Sequence, residues 1–308
     1  RKEQQVDFRF TEEQEKLRQE VREFLEKELP RDKYPKTENQ WQYGISPEFS
    51  RKVGQRGWIG MTWPKKYGGQ EKTNLDRLIV IEEMLRYGAP VSAHWLTERQ
   101  IGPALLAHGT EELRQEFLPG IAKGEIYVAA GMSEPEAGSD LASLQTRAVE
   151  KDDCFVIDGQ KVWTSGAHEC HYIYLVVRTD PEAPKHRGIS EIIVDLSLPG
   201  VTVNPIVNIA GKVHFDEIFF DGVRVPKKYL IGQKNQGWYQ IVAQLDYERS
   251  GPERLMSNYL LLQDMIQHAK ETGVSGAIKH KLYKLSVEFE VGLEFIKAGY
   301  HQLSQGKV

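Results

Sequence analysis

Six short runs, IYVAAGM, CFVIDG, YIYLVVRT, SEIIVDL, VTVNPIVNI and EIFFDGVRVP, follow one another between residues 126 and 226. Each is rich in β-branched and aromatic residues, which fit a pleated, half-buried surface. Turn dipeptides separate them, among them Asp158-Gly159, Pro199-Gly200 and Asp221-Gly222. This regular spacing predicts a compact antiparallel sheet, as a barrel or a sandwich, and not an alternation of strands with crossover helices.

The sequence on either side reads as helix. Thr11 and Gln14 have the spacing of a capping box, and Leu17, Val21, Phe24 and Leu25 then share one face. Ser46-Pro47 is an N-cap followed by a proline in the first helical turn. LDRLIVIEEMLRY and RQIGPALLAHG continue the pattern, and Thr110 caps a helix holding Leu113, Phe117 and Leu118. TWPKKYGGQ, with Pro64 and Gly68-Gly69, reads as a loop. After Gly237 the helical period returns over 238–270, interrupted at Gly251-Pro252, and over 278–304. The predicted class is α+β, with a helical unit at 1–125, a β unit at 126–235 and the first part of a second helical unit at 236–308.

Charge narrows the function. Lys plus Arg number 40 against 44 Asp plus Glu, with both signs interspersed, so nothing marks a nucleic-acid partner or an anionic membrane. No apolar run reaches the roughly 18 residues that span a bilayer, and the charged start RKEQQVDFRF is no signal peptide. Cys154 and Cys170 have no CxxC partner and read as reduced thiols, and the histidines lack metal-ligand spacing. These features predict a cytoplasmic protein without a metal site. GxSxG, P-loop and GxGxxG patterns are absent, which sets aside the commonest hydrolase, nucleoside-triphosphate and nicotinamide chemistries.

Three stretches could carry chemistry. GMSEPEAGSDL at 131–141 combines Gly131 and Gly138, where backbone can approach a ligand, with the hydroxyls of Ser133 and Ser139; the alternative is a solvated turn. In GQKVWTSGAHE, Trp163 stands beside Thr164 and Ser165. That is either a core tryptophan or a flat wall with hydrogen-bonding groups at its edge, suited to a planar heteroaromatic cofactor. LDYERSGPER at 245–254 sets Glu248 between apolar helical segments, where it is a solvated charge or an inward-turned carboxylate.

Together these pieces resemble the acyl-CoA dehydrogenase family. MSEPEAGSDL is similar to the family's EPxAGSD signature, KVWTSGA to its Trp-x-Thr/Ser flavin segment, and HFDEIFFDGVRVPKKYLIG to the strand that closes its β domain. The TWPKKYGG loop matches as well, and the motifs recur in order over nearly the whole chain. The resemblance implies an N-terminal helical domain, a middle β domain and a C-terminal helical bundle, here incomplete. It implies FAD lined by Met132, Ser133, Gly138, Ser139, Trp163, Thr164 and Ser165, with Ser165 where many members have a threonine. Ser139, Asp246 and Arg249 would contact an acyl-CoA.

The family reaction removes an α-proton and a β-hydride from the thioester, giving a trans-2-enoyl-CoA, and passes electrons to an electron-transfer flavoprotein. LDYER is similar to the L-D-x-E-R form of isovaleryl-CoA-type members, which puts Glu248 in the position of the base. The other family position for that base lies later than LSQGKV308. One departure is plain: AKETGVSGAIKHKLYKL lacks the Arg-x-x-Phe-Gly motif through which many members reach a neighbouring subunit's flavin. The resemblance thus points to a bacterial subgroup for bulky or branched acyl groups, as a homodimer, homotetramer or heteromer. Its rivals are an acyl-CoA oxidase or desulfinase of the same fold, and a non-catalytic acyl-CoA-binding subunit. Trp95 reads as core or as a wall of the acyl pocket.

Overall fold

The computed structural model describes residues 9–34, 39–249 and 251–304, apart from the side chains of 244–249 and 304. Helix α1 (Glu12–Glu28) opens on the predicted capping box, with Thr11 Oγ1 accepting from the Gln14 amide at 3.2 Å and Gln14 Oε1 accepting from the Thr11 amide at 3.1 Å. Its inner face, Val21, Phe24 and Leu25, packs on α4 (Asn74–Tyr87), which begins with a second capping box, Thr73 with Asp76. Gly88, at φ 72, ends α4 in the left-handed conformation that glycine adopts without cost. Between the two helices Arg18 is buried against Glu82 and Glu83. Around them lie α2 (Gln40–Tyr43), α3 (Pro47–Gln55), α5 (Ser92–Leu96), α6 (Gly102–His108) and α7 (Glu111–Ala122).

The helix expected over RQIGPALLAHG is present but starts earlier, with α5, a π-helical segment Thr97–Ile101 and α6 following one another without a break. A π-turn widens the helix by one residue, and such turns cluster at functional sites.

The strands are β1 (Val128–Gly131), β2 (Arg147–Lys151), β3 (Cys154–Ser165), β4 (Tyr172–Arg178), β5 (Ile189–Asp195), β6 (Val201–Val207), β7 (Val213–Pro226) and β8 (Leu230–Ile231). They form one sheet in the order β6-β7-β3-β2-β4-β5-β8, with β1 paired to β4. Pairing is antiparallel except for β1–β4 and the single β2–β4 pair, which are parallel. β4 explains why YIYLVV is apolar without alternation: Ile173, Leu175 and Val177 enter the core between sheet faces, while Tyr174 and Val176 enter the helical core. In β2 only Ala148 is buried, so its RAVEK sequence carries no apolar pattern.

The chain returns to helix with α8 (Gly237–Arg249), α9 (Glu253–Met256), α10 (Tyr259–Thr272) and α11 (Gly276–Ser304). The interruption at Gly251-Pro252 is present. A second break follows at Ser257-Asn258, where the Ser257 hydroxyl donates to the Glu253 carbonyl at 2.8 Å. Both α10 and α11 pack on α4, where Arg86 lies over the rings of Tyr259 and Phe289.

Candidate active site

A cavity of about 430 Å³ opens where the helices meet the sheet. One wall is helical and carries Ser92, Trp95, Leu96, Arg99 and Gln100. The opposite wall is the sheet: Val128 and Ala130 of β1, Met132 and Ser133 of the following loop, and Val162, Trp163, Ser165 and Gly166 at the end of β3. His214 and Phe215 of β7, Trp41 and Gln42 of α2, Ile45, Cys170 and Arg254 line it as well.

The end of β3 is shaped by a bulge. Lys161 pairs with Ile218 and Thr164 with Asp216, so β3 holds one residue more than β7 over this interval. The extra length puts Trp163 at φ 61, a region that bulky side chains avoid. A bulge re-aims a side chain, and here it leaves the indole 58 % exposed and edge-on to Phe215, ring centroids 5.9 Å apart.

Lys161, fully buried, braces the neighbouring loop. Its ammonium donates to the Met132 carbonyl at 2.9 Å and to Glu134 Oε1 at 2.8 Å. Glu134 also accepts from the amides of Gln145 at 2.6 Å and Thr146 at 2.9 Å. Burial pushes the Lys161 pKa down to about 8 against the pull of Glu134. Burial likewise works against the Glu134 carboxylate, but Lys161 and the two amides outweigh it and its pKa is lowered. The Val162 amide donates to the Ser133 carbonyl at 3.0 Å, so the 132–134 loop and the bulge form one platform. On its far side the His168 imidazole lies 2.8 Å from the buried carboxylate of Asp216.

Apart from Trp95, the helical wall carries no signal in the sequence. Thr97, Glu98, Arg99 and Gln100 are four consecutive polar residues, all buried. Such a run reads by default as a solvated face; only partners distant in sequence reveal it as interior. Thr97 Oγ1 accepts from the Val128 amide at 2.8 Å, joining the π-turn to β1. Glu98 accepts from Arg77 Nε at 2.7 Å, and Arg99 pairs with Glu253 of α9.

Of the residues named from sequence, Met132, Ser133, Trp163 and Ser165 come together on the cavity wall. Trp95 is buried and lines the same cavity. Gly138 and Ser139 lie on an exposed loop outside its lining, and nothing crowds the Cβ direction of Gly138. The Thr164 side chain is buried away from the cavity, and its hydroxyl has no partner among the described residues. Asp246, Glu248 and Arg249 fall on α8, and their side chains lie outside the described residues. Among the described residues no group of His, Cys, Asp or Glu is arranged to hold a metal, and no helix is long and apolar enough to cross a membrane.

Comparison with known proteins bears on this geometry. Residues 11–125 match the family model for the acyl-CoA dehydrogenase N-terminal domain, and 129–223 that for the middle domain. Acyl-CoA dehydrogenase FadE26 of Mycobacterium tuberculosis is 35 % identical over 288 residues, covering 90 % of this chain and 71 % of the relative. The chain belongs to the acyl-CoA dehydrogenase family. Acyl-CoA dehydrogenase FadE29 of the same organism is 40 % identical over 240 residues, covering 78 % of this chain. This chain spans 62 % of the length of FadE29, less than two thirds. A solved structure described as the Tcur3481-Tcur3483 steroid ACAD superposes with a TM-score of 0.88 at 35 % identity, covering 98 % of this chain and 79 % of the other. Two helical regions flanking a largely antiparallel sheet are thus the family's architecture, as the motifs implied.

Proposed function

We propose that the chain catalyses FAD-dependent α,β-dehydrogenation of an acyl-CoA thioester to the trans-2-enoyl-CoA, with electrons passing to an electron-transfer flavoprotein. The observation that carries this reading is Trp163, an exposed indole held in a strained conformation at the cavity wall. A strained, exposed aromatic is poor structural material and good material for the face of a planar ring. The donor set around it fits a flavin. Ser133 and Ser165 bring hydroxyls to the same wall, and Met132 brings a polarisable thioether.

FAD, when bound, supplies the two-electron acceptor for the β-hydride. The chain's own part is orientation and proton removal. Trp163 would flank the ring and Ser133 and Ser165 would hold its polar edge, with Met132 beside them; Thr164, Gly138 and Ser139 stand outside the cavity lining and would contribute only as parts of the same binding segments. Ser139, Asp246 and Arg249 hold the acyl-CoA. The Glu248 carboxylate takes the α-proton, and shielding from water raises its affinity for that proton.

The three units, residues 1–125, 126–235 and 236–308, divide these tasks among two helical regions and the sheet between them. A bulky acyl group is supported by the likeness to a protein described as a steroid ACAD, and a heteromeric assembly by the two components in that description. The missing Arg-x-x-Phe-Gly motif points the same way.

The test is anaerobic bleaching of the purified yellow protein by a panel of acyl-CoA thioesters. Glu248→Gln, which keeps the shape but cannot accept the proton, is expected to bind the thioester and lose flavin reduction by a factor of about 10² or more. Reduction at the wild-type rate would remove Glu248 from the role. A colourless, thioester-indifferent protein would sink the whole reading. Rapid reoxidation by air would move it to an oxidase.

A further inference from the structure

The π-turn Thr97–Ile101 leaves part of its polar run without partners. Thr97 is tied to Val128, Glu98 to Arg77, and Arg99 Nη1 to Glu253. The rest of the Arg99 guanidinium, the Gln100 carboxamide and the Trp95 indole nitrogen have no hydrogen-bond partner among the described residues. Trp95, Arg99 and Gln100 are only 7, 9 and 5 % exposed, and all three line the cavity of about 430 Å³.

Their shared direction follows from the turn. The Gly102 amide donates to the Thr97 carbonyl five residues back, the π pattern. Widening the helix in this way lets Arg99 and Gln100, four and five positions after Trp95, both reach the same side. Trp95 Nε1 and Arg99 Nε are sealed within the wall, whereas Arg99 Nη2 and the Gln100 carboxamide are not. A solvated face would leave such groups in water, and a packed core would pair them. These groups do neither; they stand on a cavity wall opposite Trp163 and Ser165.

We propose that Arg99 and Gln100 form a polar subsite for an uncharged oxygen, carbonyl or hydroxyl, that the acyl group carries away from its thioester. The proposal rests on the acyl-CoA reading of the cavity and narrows its substrate to oxygenated acyl groups. With the flavin along the sheet wall, the helical wall faces the acyl group. A hydrocarbon there would strip water from the carboxamide and the guanidinium and return no hydrogen bond. A carbonyl oxygen accepts from both, and a hydroxyl also donates to Gln100 Oε1. Charge decides for an uncharged group: Arg99 is balanced by Glu253 and Glu98 by Arg77, so this wall has no spare cation for a carboxylate.

The experiment is calorimetric titration of the flavin-loaded full chain with S-alkyl-CoA thioethers in matched pairs. Each pair is a hydrocarbon chain and the same chain with one keto group, whose position moves outward a carbon at a time. In the wild type at least one keto position is expected to bind about tenfold or more tighter than its hydrocarbon parent. Gln100→Leu, close in size, is expected to bring that ratio to within about twofold of unity. Arg99→Lys keeps a charge for Glu253 but removes the fork, and is expected to lower the ratio about threefold or more. The ratio within a pair is the readout, so a general loss of affinity in either variant leaves the comparison intact. Equal binding within every pair, or the wild-type ratio in Gln100→Leu, overturns the proposal. So does a carboxylate-bearing chain that binds tighter than its keto counterpart. Thioethers lack the carbonyl that makes the α-proton acidic, so the titration is independent of turnover. Pairs that bind alike would remove the subsite and leave the acyl-CoA reading standing, whereas no binding of any thioether would sink both.

Discussion

Trp163 is held at φ 61 by one extra residue in β3, and its indole remains 58 % exposed. Left-handed backbone at a bulky residue costs about 1–3 kcal/mol, while an edge-on ring contact such as that with Phe215 returns about 0.5–1.5 kcal/mol. The two terms nearly cancel, so the residue contributes little to the fold. Trp163→Asn, with a side chain that tolerates the left-handed region, is expected to change apoprotein stability by less than about 1 kcal/mol. Flavin affinity is expected to fall tenfold or more. Denaturant unfolding and flavin titration measure the two effects. A loss of about 3 kcal/mol or more, as for a core tryptophan, would mean that the ring serves packing instead. The KVWTSGA motif made this residue legible in the sequence, but the strain was not, because a bulge is defined by the partner strand. Lys161, two residues earlier, escaped notice for a similar reason: its buried partner Glu134 lies in another segment and marks no pattern around it.

Elements were legible where their determinants are local. The Thr11 and Thr110 caps, the Ser46-Pro47 start and the β-branched strands all announce themselves within a few residues. β2 did not, having one buried side chain, nor did the π-turn, whose polar run is interior only because Arg77 and Glu253 meet it. The break after α8 shows how a local signal and a distant one combine. Gly251-Pro252 was readable as an interruption, but what a side chain at the glycine would meet was not. A Cβ at Gly251 would lie 1.9 Å from Glu253 Oε2, and that carboxylate is the buried partner of Arg99. Gly251→Ala should therefore displace Glu253 from Arg99. Glu253→Gln leaves the guanidinium without its counter-charge, and breaking a buried pair in this way costs about 3–5 kcal/mol. We expect Gly251→Ala to destabilise by less than Glu253→Gln. The double variant should be clearly less destabilised than the sum of the two, because both act on one contact. Denaturant midpoints for the three proteins decide it, and strict additivity would show that Gly251 matters only for the backbone.

At the scale of the molecule, the order of helices, sheet and helices was readable from texture, whereas the ties between these layers were not. Glu191 shows why. It lies in β5 between Ile189 and Ile193, in a run that reads as ordinary strand, yet it is fully buried and faces the helical core. Gln240 of α8 donates to its carboxyl group and also to the Ile231 carbonyl at 3.2 Å, so one amide joins the sheet to the helix that carries LDYER. Burial pushes the Glu191 pKa up to about 7, against the hydrogen bonds of Tyr174 and Gln240, from an ordinary value of 4.5. The folded chain keeps this proton up to about pH 7, while the unfolded chain releases it near 4.5, so the contribution to stability is full below 4.5 and is lost as pH rises through 7. A rise of that size corresponds to roughly 3 kcal/mol. His94 acts in the opposite sense: burial pushes its pKa down to about 4, so its contribution is lost as pH falls. The raw stability curve therefore mixes both groups, and the Glu191 term has to be read as a difference. Glu191→Gln mimics the protonated form and keeps an acceptor for Gln240. Its stability relative to the wild type is expected to grow between pH 5 and pH 8 by about 2.5 kcal/mol, with the His94 term cancelling. Parallel curves over that range would mean that the carboxyl group ionises in the folded chain as it does in water, and that the joint between sheet and α8 is indifferent to its charge.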